Sequence, residues 1–388
     1  MRVIVLLSPA KSLNWDAPPD SLSALWSEPP LLSEADPIIE VMRSKSKSDL
    51  KALMSVSDNI AELNHERYQG YLFAGEARRR MEAACGENGE TVEVFRPAAL
   101  AYDGPAYRGM QAASFSKQDW SFCKGTIRLL SGLYGVLRPT DLIQPYRLEM
   151  DSRVGALGSK DLYSYWKEKV TERLIEDGQE ATPPGTSRSR RGSGHDPDSA
   201  FLVVNVASQE YAKVVDFDAV RKAGGRVITC VFKDDGRVLA VFAKRARGLL
   251  ARHVVLTRAK GPSDIRTFAA DGYHLDNAQS EDDLLVFTRT KGERPALPLS
   301  GTVQSARGKR SVSAAAAPEP EPENPPKSGR RGKKGTGKAE TKAEVKVDAK
   351  IDAKAKVEAK VEAKAETKLG TSVASGTRRS ARATRRRG

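Results

Sequence analysis

Apolar and polar positions follow two kinds of spacing along the first 290 residues, and each predicts an element. Val3 to Leu7 and Phe201 to Val206 are unbroken apolar runs, the pattern of strands covered on both faces, and Leu284 to Thr288 reads as a last strand. Val92, Val94 and Ala98 to Tyr102 alternate or cluster like further strands, stopped by the turn signal Asp103-Gly104-Pro105. Val227 to Phe232 and Arg237 to Phe242 flank Lys233-Asp234-Asp235-Gly236, which predicts a β-hairpin. Helical spacing recurs over Ile38 to Met42, Leu50 to Val56, Ile60 to Tyr68, Ala77 to Ala84, Asp161 to Leu174 and Ala243 to about Leu256. Ser33 with Asp36, ahead of Pro37, and Ser116 with Asp119 are spaced as capping boxes. Strands interleaved with helices predict an α/β fold.

Two segments break these patterns. Gln179 to Ser199 is rich in Pro, Gly, Ser and Arg and almost free of apolar residues, so it is expected to be a disordered insertion. From about Lys291 the chain turns to Ala, Pro, Lys and Arg, with Val/Ile-Asp/Glu-Ala-Lys repeats starting at Val347, Ile351, Val357 and Val361. A repeat of mostly four residues drifts around a helix instead of building one seam, so this tail is expected to be a lone charged helix or disordered. The expected organisation is a globular domain over 1–290 and a low-complexity basic tail over 291–388.

Charge sharpens that division. The chain carries 64 Lys+Arg and 50 Asp+Glu; residues from Gly301 onward hold 23 and 10 of them, leaving 41 and 40 for residues 1–300. The body is nearly neutral and the tail holds almost all the excess. Such a tail resembles those of linker histones and offers salt-sensitive, sequence-independent affinity for nucleic acid; a solubilising or localisation role is the alternative. No apolar run reaches the length of a membrane span. Cys85, Cys123 and Cys230 are odd in number and far apart, as expected of reduced intracellular thiols, and the four histidines show no ligand spacing, so neither a metal nor a cofactor is expected.

Candidate chemistry concentrates in two places. Between Ile127 and Met150, Gly132 and Gly135 bracket Leu133-Tyr134, and Arg138, Asp141, Arg147 and Glu149 follow. A glycine turn beside two arginines suits phosphate, through amide and guanidinium donors. The alternative is a buried turn with Arg138 and Arg147 paired to Asp141 and Glu149. Ser8, Lys11 and Ser12 leave the first strand, and Asn205, Ser208 and Tyr211 leave the Phe201 to Val206 strand. Ligands of open α/β sheets bind at such ends. Lys244, Arg245 and Arg247 open the later helix as a basic patch or a solvated face.

Taken in order, VIVLLSPAKSLNW, YDGPAYRGM, LSGLYGVLRPTDLIQPYRLEM, KDLYSYW, VVNVASQEY and VFAKRARGLLAR resemble the YaaA family of peroxide-stress proteins across residues 3 to 290. The insertion and the tail depart from it. The resemblance implies a single compact α/β domain of unusual topology with a helix-hairpin-helix-like element, for which Leu130 to Gly135 is the natural place. That stretch has two residues between its glycines where the usual motif has one. The resemblance also implies a cytoplasmic protein that binds double-stranded DNA and limits iron-dependent oxidative damage to it; nucleus or nucleoid is the alternative location.

On this reading Gly132, Tyr134 and Gly135 meet the DNA backbone, Arg138, Arg147, Lys244, Arg245 and Arg247 supply phosphate contacts, and a monomer is expected. A rival expectation is an enzyme acting on nucleotides or damaged nucleic acid, through a pocket of Ser8, Lys11, Ser12, Glu149, Asn205, Ser208 and Tyr211. A closed pocket favours the enzyme; an open basic groove favours binding. Direct iron binding is the weakest reading, for want of ligand spacing.

Overall fold

A computed structural model describes residues 1–16, 20–84, 94–155, 157–180 and 199–295. Cys85, Val92, most of the predicted insertion and the tail after Pro295 lie outside the described residues. The strands are β1 (Arg2–Leu7), β2 (Ser12–Leu13), β3 (Arg96–Pro97), β4 (Tyr102–Asp103), β5 (Ile127–Ser131), β6 (Gly135–Leu137), β7 (Leu142–Ile143), β8 (Phe201–Asn205), β9 (Gly225–Asp234), β10 (His274–Leu275) and β11 (Leu284–Arg289). The α-helices are α1 (Leu32–Arg43), α2 (Lys47–Met54), α3 (Asp58–Gln69), α4 (Ala74–Ala84), α5 (Ala98–Ala101), α6 (Pro105–Met110), α7 (Lys117–Thr126), α8 (Leu162–Gln179), α9 (Gln209–Ala212), α10 (Phe217–Lys222), α11 (Ala240–Thr257) and α12 (Pro262–Arg266).

The fold is mixed α/β. Its main sheet runs β10-β11-β9-β8-β1-β5-β6, parallel throughout except for the two edge strands. The apolar runs predicted from sequence are its centre: Ile4 to Leu7 and Phe201 to Val204 are almost wholly buried because helices cover both faces of a parallel sheet. From β1 the chain builds outward to β5 and β6, then returns to the other side of β1 as β8, β9 and β11. The order therefore reverses between β1 and β8, and their carboxyl ends open there.

One helix contact is set by missing side chains. α11 packs closely on α6, and a Cβ on Gly248 would stand 1.7 Å from the Ala106 carbonyl oxygen, one on Gly109 2.4 Å from that of Arg245. The two backbones touch where larger residues cannot fit.

Several expectations are corrected. Leu130 to Gly135 joins two antiparallel strands, β5 and β6, where a hairpin between helices was expected. Its turn is inside the protein: Leu133 and Tyr134 are fully buried, and Gly135 (φ +67) lies against the Trp166 ring, 2.6 Å from where a Cβ would stand. The apolar run on both sides is what draws it inward. Ala98 to Ala101 is helical; four residues are too few to separate a strand from a helix by period, and alanine favours the helix. The predicted hairpin closes only as a bridge between Asp234 and Arg237, and Val241-Phe242 fall in the first turn of α11, whose alanine-rich repeat continues the 3.6 spacing. Ser33 does not cap α1; Asp36 accepts the Ala74 backbone N–H instead, tying α1 to α4. Ser116 and Asp119 form the reciprocal box as expected. Among the described residues no helix is long and apolar enough to cross a membrane.

Candidate functional site

Ser8 follows β1 directly, and Ser208 follows β8 after a turn closed by the Asn205 side chain, which accepts the Ala207 N–H at 3.1 Å. The two serines meet across the switch point. The Ser208 N–H donates to Ser8 Oγ at 2.8 Å, and Ser8 Oγ donates to Ser208 Oγ at 3.2 Å. Tyr107 of α6 fixes the same loop by donating to the Ser8 carbonyl at 3.0 Å.

Above them gather charges that the sequence scatters. Lys11 Nζ lies 2.6 Å from Glu149 Oε2, and Arg147 Nη2 lies 3.1 Å from Glu149 Oε1, so one carboxylate is shared by two cations. One carboxylate oxygen from each of Glu149, Asp151 and Glu210 lies within 4.8 Å of those of the other two. That spacing fits part of the oxygen shell of a hard divalent cation. Glu210 Oε1 is buried without a hydrogen-bond partner among the described residues. Its burial, then the neighbouring Asp151 and Glu149, push the Glu210 carboxyl up to about 7, against the opposing pull of Lys11 and Lys244. Burial and the Glu210 charge raise the Tyr211 hydroxyl beyond its ordinary range, so this phenol stays neutral.

The predicted pocket thus assembles Ser8, Lys11, Glu149 and Ser208, with Tyr211 beside Glu210. Asn205 serves the turn. Ser12 is exposed on β2, paired to Asp103, and bonds to none of them among the described residues. Sequence reasoning missed Asp151 and Glu210, although Glu210 sits between two residues it had singled out. A carboxylate beside a strand-end serine is the signal that could have found it.

The predicted phosphate contacts disperse. Gly132, Tyr134 and Gly135 are sealed in the core, where Tyr134 accepts from the Tyr71 hydroxyl and from the Gln144 N–H. Arg138 is held by Asp141 at 3.2 Å and donates to the Glu28 carbonyl at 3.1 Å; burial raises the Asp141 carboxyl to about 6 despite Arg138. Arg147 pairs with Glu149, so the paired-turn alternative describes both arginines. Arg245 pairs with Asp271 at 2.6 Å, and Arg247 is half-buried. Lys244 is exposed and close enough to Glu210 to act on its charge. The crevice therefore holds Lys11, Arg147 and Lys244 against three carboxyl groups, which makes it polar and close to neutral. A basic groove of the kind a polyanion selects by charge alone has more cations than that.

The model of a family described as "Peroxide stress protein YaaA" matches residues 3–279. Proteins named UPF0246 from Burkholderia mallei (strain SAVP1) and Burkholderia pseudomallei (strain K96243) are each 38% identical over 294 residues, covering 75% of this chain and 100% of the relative. One from Burkholderia thailandensis shows the same identity and coverage.

Proposed function

From its membership of the peroxide stress protein YaaA family, to which this chain belongs, we infer that it serves the peroxide response through the crevice at the ends of β1 and β8. The ligand class we propose is a nucleotide unit, free or within oxidised nucleic acid. One observation carries this reading: Glu210, a carboxyl that holds its proton to about pH 7, has an oxygen within 4.8 Å of one from each of two further carboxylates, two residues along the chain from the Ser208 that pairs with Ser8. A group poised near the cell's pH can both give and take a proton, which general acid–base chemistry requires. Lys11 and Lys244 at the rim suit a phosphate as point-charge donors. In the crevice floor, the Ser8 and Ser208 hydroxyls offer orienting hydrogen bonds. The test is incubation of the full chain with oxidised duplex DNA and with nucleotides. Product formation that disappears in Glu210→Gln supports the reading, and no product from any of them overturns it.

The second reading is backbone binding of DNA without chemistry, protecting it from iron-dependent damage in the cytoplasm or at the nucleoid. What favours it is the exposure of Lys11 and Lys244 together with the basic composition of the tail. On this reading Lys11→Ala with Lys244→Ala lowers the salt slope of duplex binding by about two, one for each phosphate left without its lysine. A slope unchanged in the double variant places binding elsewhere.

A further inference from the structure

A cavity of about 230 Å³ opens beside the start of α11, lined by Phe242, Arg245, Asp271, Tyr273, Arg289 and Arg294. Its walls are flat and cationic. The Arg289 guanidinium lies over the rings of Phe242 and Tyr273, at 5.0 and 4.3 Å, and that of Arg294 lies over Phe242 at 4.8 Å.

Its charges do not balance. Arg289 and Arg294 share the single buried carboxylate of Asp234, and Arg245 takes Asp271, so three guanidinium groups face two close carboxylates. Asp235, half-exposed, is 4.0 Å from Arg294 and screened by solvent there. Arg245 uses Nε for its ion pair, and its two Nη groups have no hydrogen-bond partner among the described residues.

A second, independent feature is the Tyr273 hydroxyl. Tyr273 is 2% exposed and lines the cavity, and its hydroxyl has no partner among the described residues. A buried hydroxyl without a partner is rare, because its desolvation is uncompensated. Its position is set by the Ala270 to Tyr273 turn, whose ends exchange backbone hydrogen bonds at 2.9 and 3.3 Å.

We propose that this cavity binds a small anion with a flat, unsaturated body, a planar carboxylate or an aryl phosphate. The anionic head meets the free Nη donors of Arg245 and the Tyr273 hydroxyl, and the flat body stacks among Phe242 and the guanidinium planes. The site shares no side chain with the carboxylate crevice.

Calorimetric titration of the full chain with benzoate, phenyl phosphate and inorganic phosphate tests this. The two aromatic anions are expected to saturate one site, and inorganic phosphate, which has the charge without the plane, to bind at least about tenfold more weakly, by the missing stacking. Saturation by benzoate alone or by phenyl phosphate alone identifies the head group. Tyr273→Phe keeps the walls, removes only the unpartnered hydroxyl, and is expected to melt no lower than the parent while binding about tenfold more weakly, the factor for one hydrogen bond to a charged group. Glu210→Gln is expected to bind both anions unchanged, which separates this site from the crevice. No saturable binding of either aromatic anion, inorganic phosphate binding as tightly as they do, or Tyr273→Phe binding as the parent does, overturns the proposal.

Discussion

The Ser208 backbone N–H donates to Ser8 Oγ at 2.8 Å, joining residues 200 positions apart across the point where the strand order reverses. This bond brings the loop carrying Lys11 to the one carrying Glu210, and with it the two halves of the crevice.

Ser8→Ala removes the acceptor and leaves a partly buried N–H without a partner. The expected cost is about 1–3 kcal/mol in chemical denaturation, the penalty for an unsatisfied buried donor. Ser8→Thr keeps the oxygen and is expected to recover most of it. Equal stability of Ser8→Ala and parent contradicts this role for the bond.

Glu210 gives the crevice a pH signature. Its carboxyl is raised from the ordinary 4.5 to about 7, so between those values the folded protein keeps a proton that the unfolded chain has released. The folded state then binds more protons than the unfolded one, and the stability from this group falls as pH rises through that window. Melting temperature measured from pH 4.5 to 8 is expected to fall less in Glu210→Gln than in the parent. Parallel curves for the two proteins contradict the assignment.

Gly248 tests the packing of α11 on α6. With the Ala106 carbonyl oxygen 1.7 Å from where a Cβ would stand, Gly248→Ala forces the helices apart. The expected loss is at least about 1–3 kcal/mol, the usual cost of overpacking. An unchanged denaturation midpoint contradicts the close approach.

Arg128 and Asp177 form a fully buried ion pair at 2.5 Å between β5 and α8. Arg128→Ala leaves the buried Asp177 carboxylate with the part-exposed Arg173 as its remaining ion-pair partner, so it is expected to cost about 1–3 kcal/mol, the loss of hydrogen bonds to a buried charged group. The Asp177 carboxyl is held below its ordinary range: burial pushes it up, and Arg128 and Arg173 outweigh that. The contribution of Asp177 is present above its ordinary 3.8 and lost as pH falls. Acid denaturation curves of parent and Arg128→Ala are expected to converge at low pH.

The sheet was legible because parallel strands buried on both faces must be apolar without interruption, as Val3 to Leu7 and Phe201 to Val204 are. Helices with a full 3.6 repeat, such as α8 and α11, were legible for the same kind of reason. Short elements were not: Ala98 to Ala101 is too brief to show a period. The glycine hairpin misled because glycine serves close packing and anion binding equally well, and only tertiary structure shows Gly135 against Trp166. For the crevice, strand-end position pointed to Ser8, Lys11 and Ser208. Asp151 escaped although it lies two residues from Glu149, because two nearby acidic residues in a loop are usually just solvated; the approach of Glu210 to both is created by the fold and leaves no spacing in the chain.

The most direct test of the crevice as the working site is peroxide survival of bacterial cells lacking their own family member and supplied with this chain or its Glu210→Gln variant at matched levels. The account predicts that the parent restores survival and that Glu210→Gln, folded and equally abundant, does not. Full protection by Glu210→Gln would contradict it and move the function away from the ends of β1 and β8.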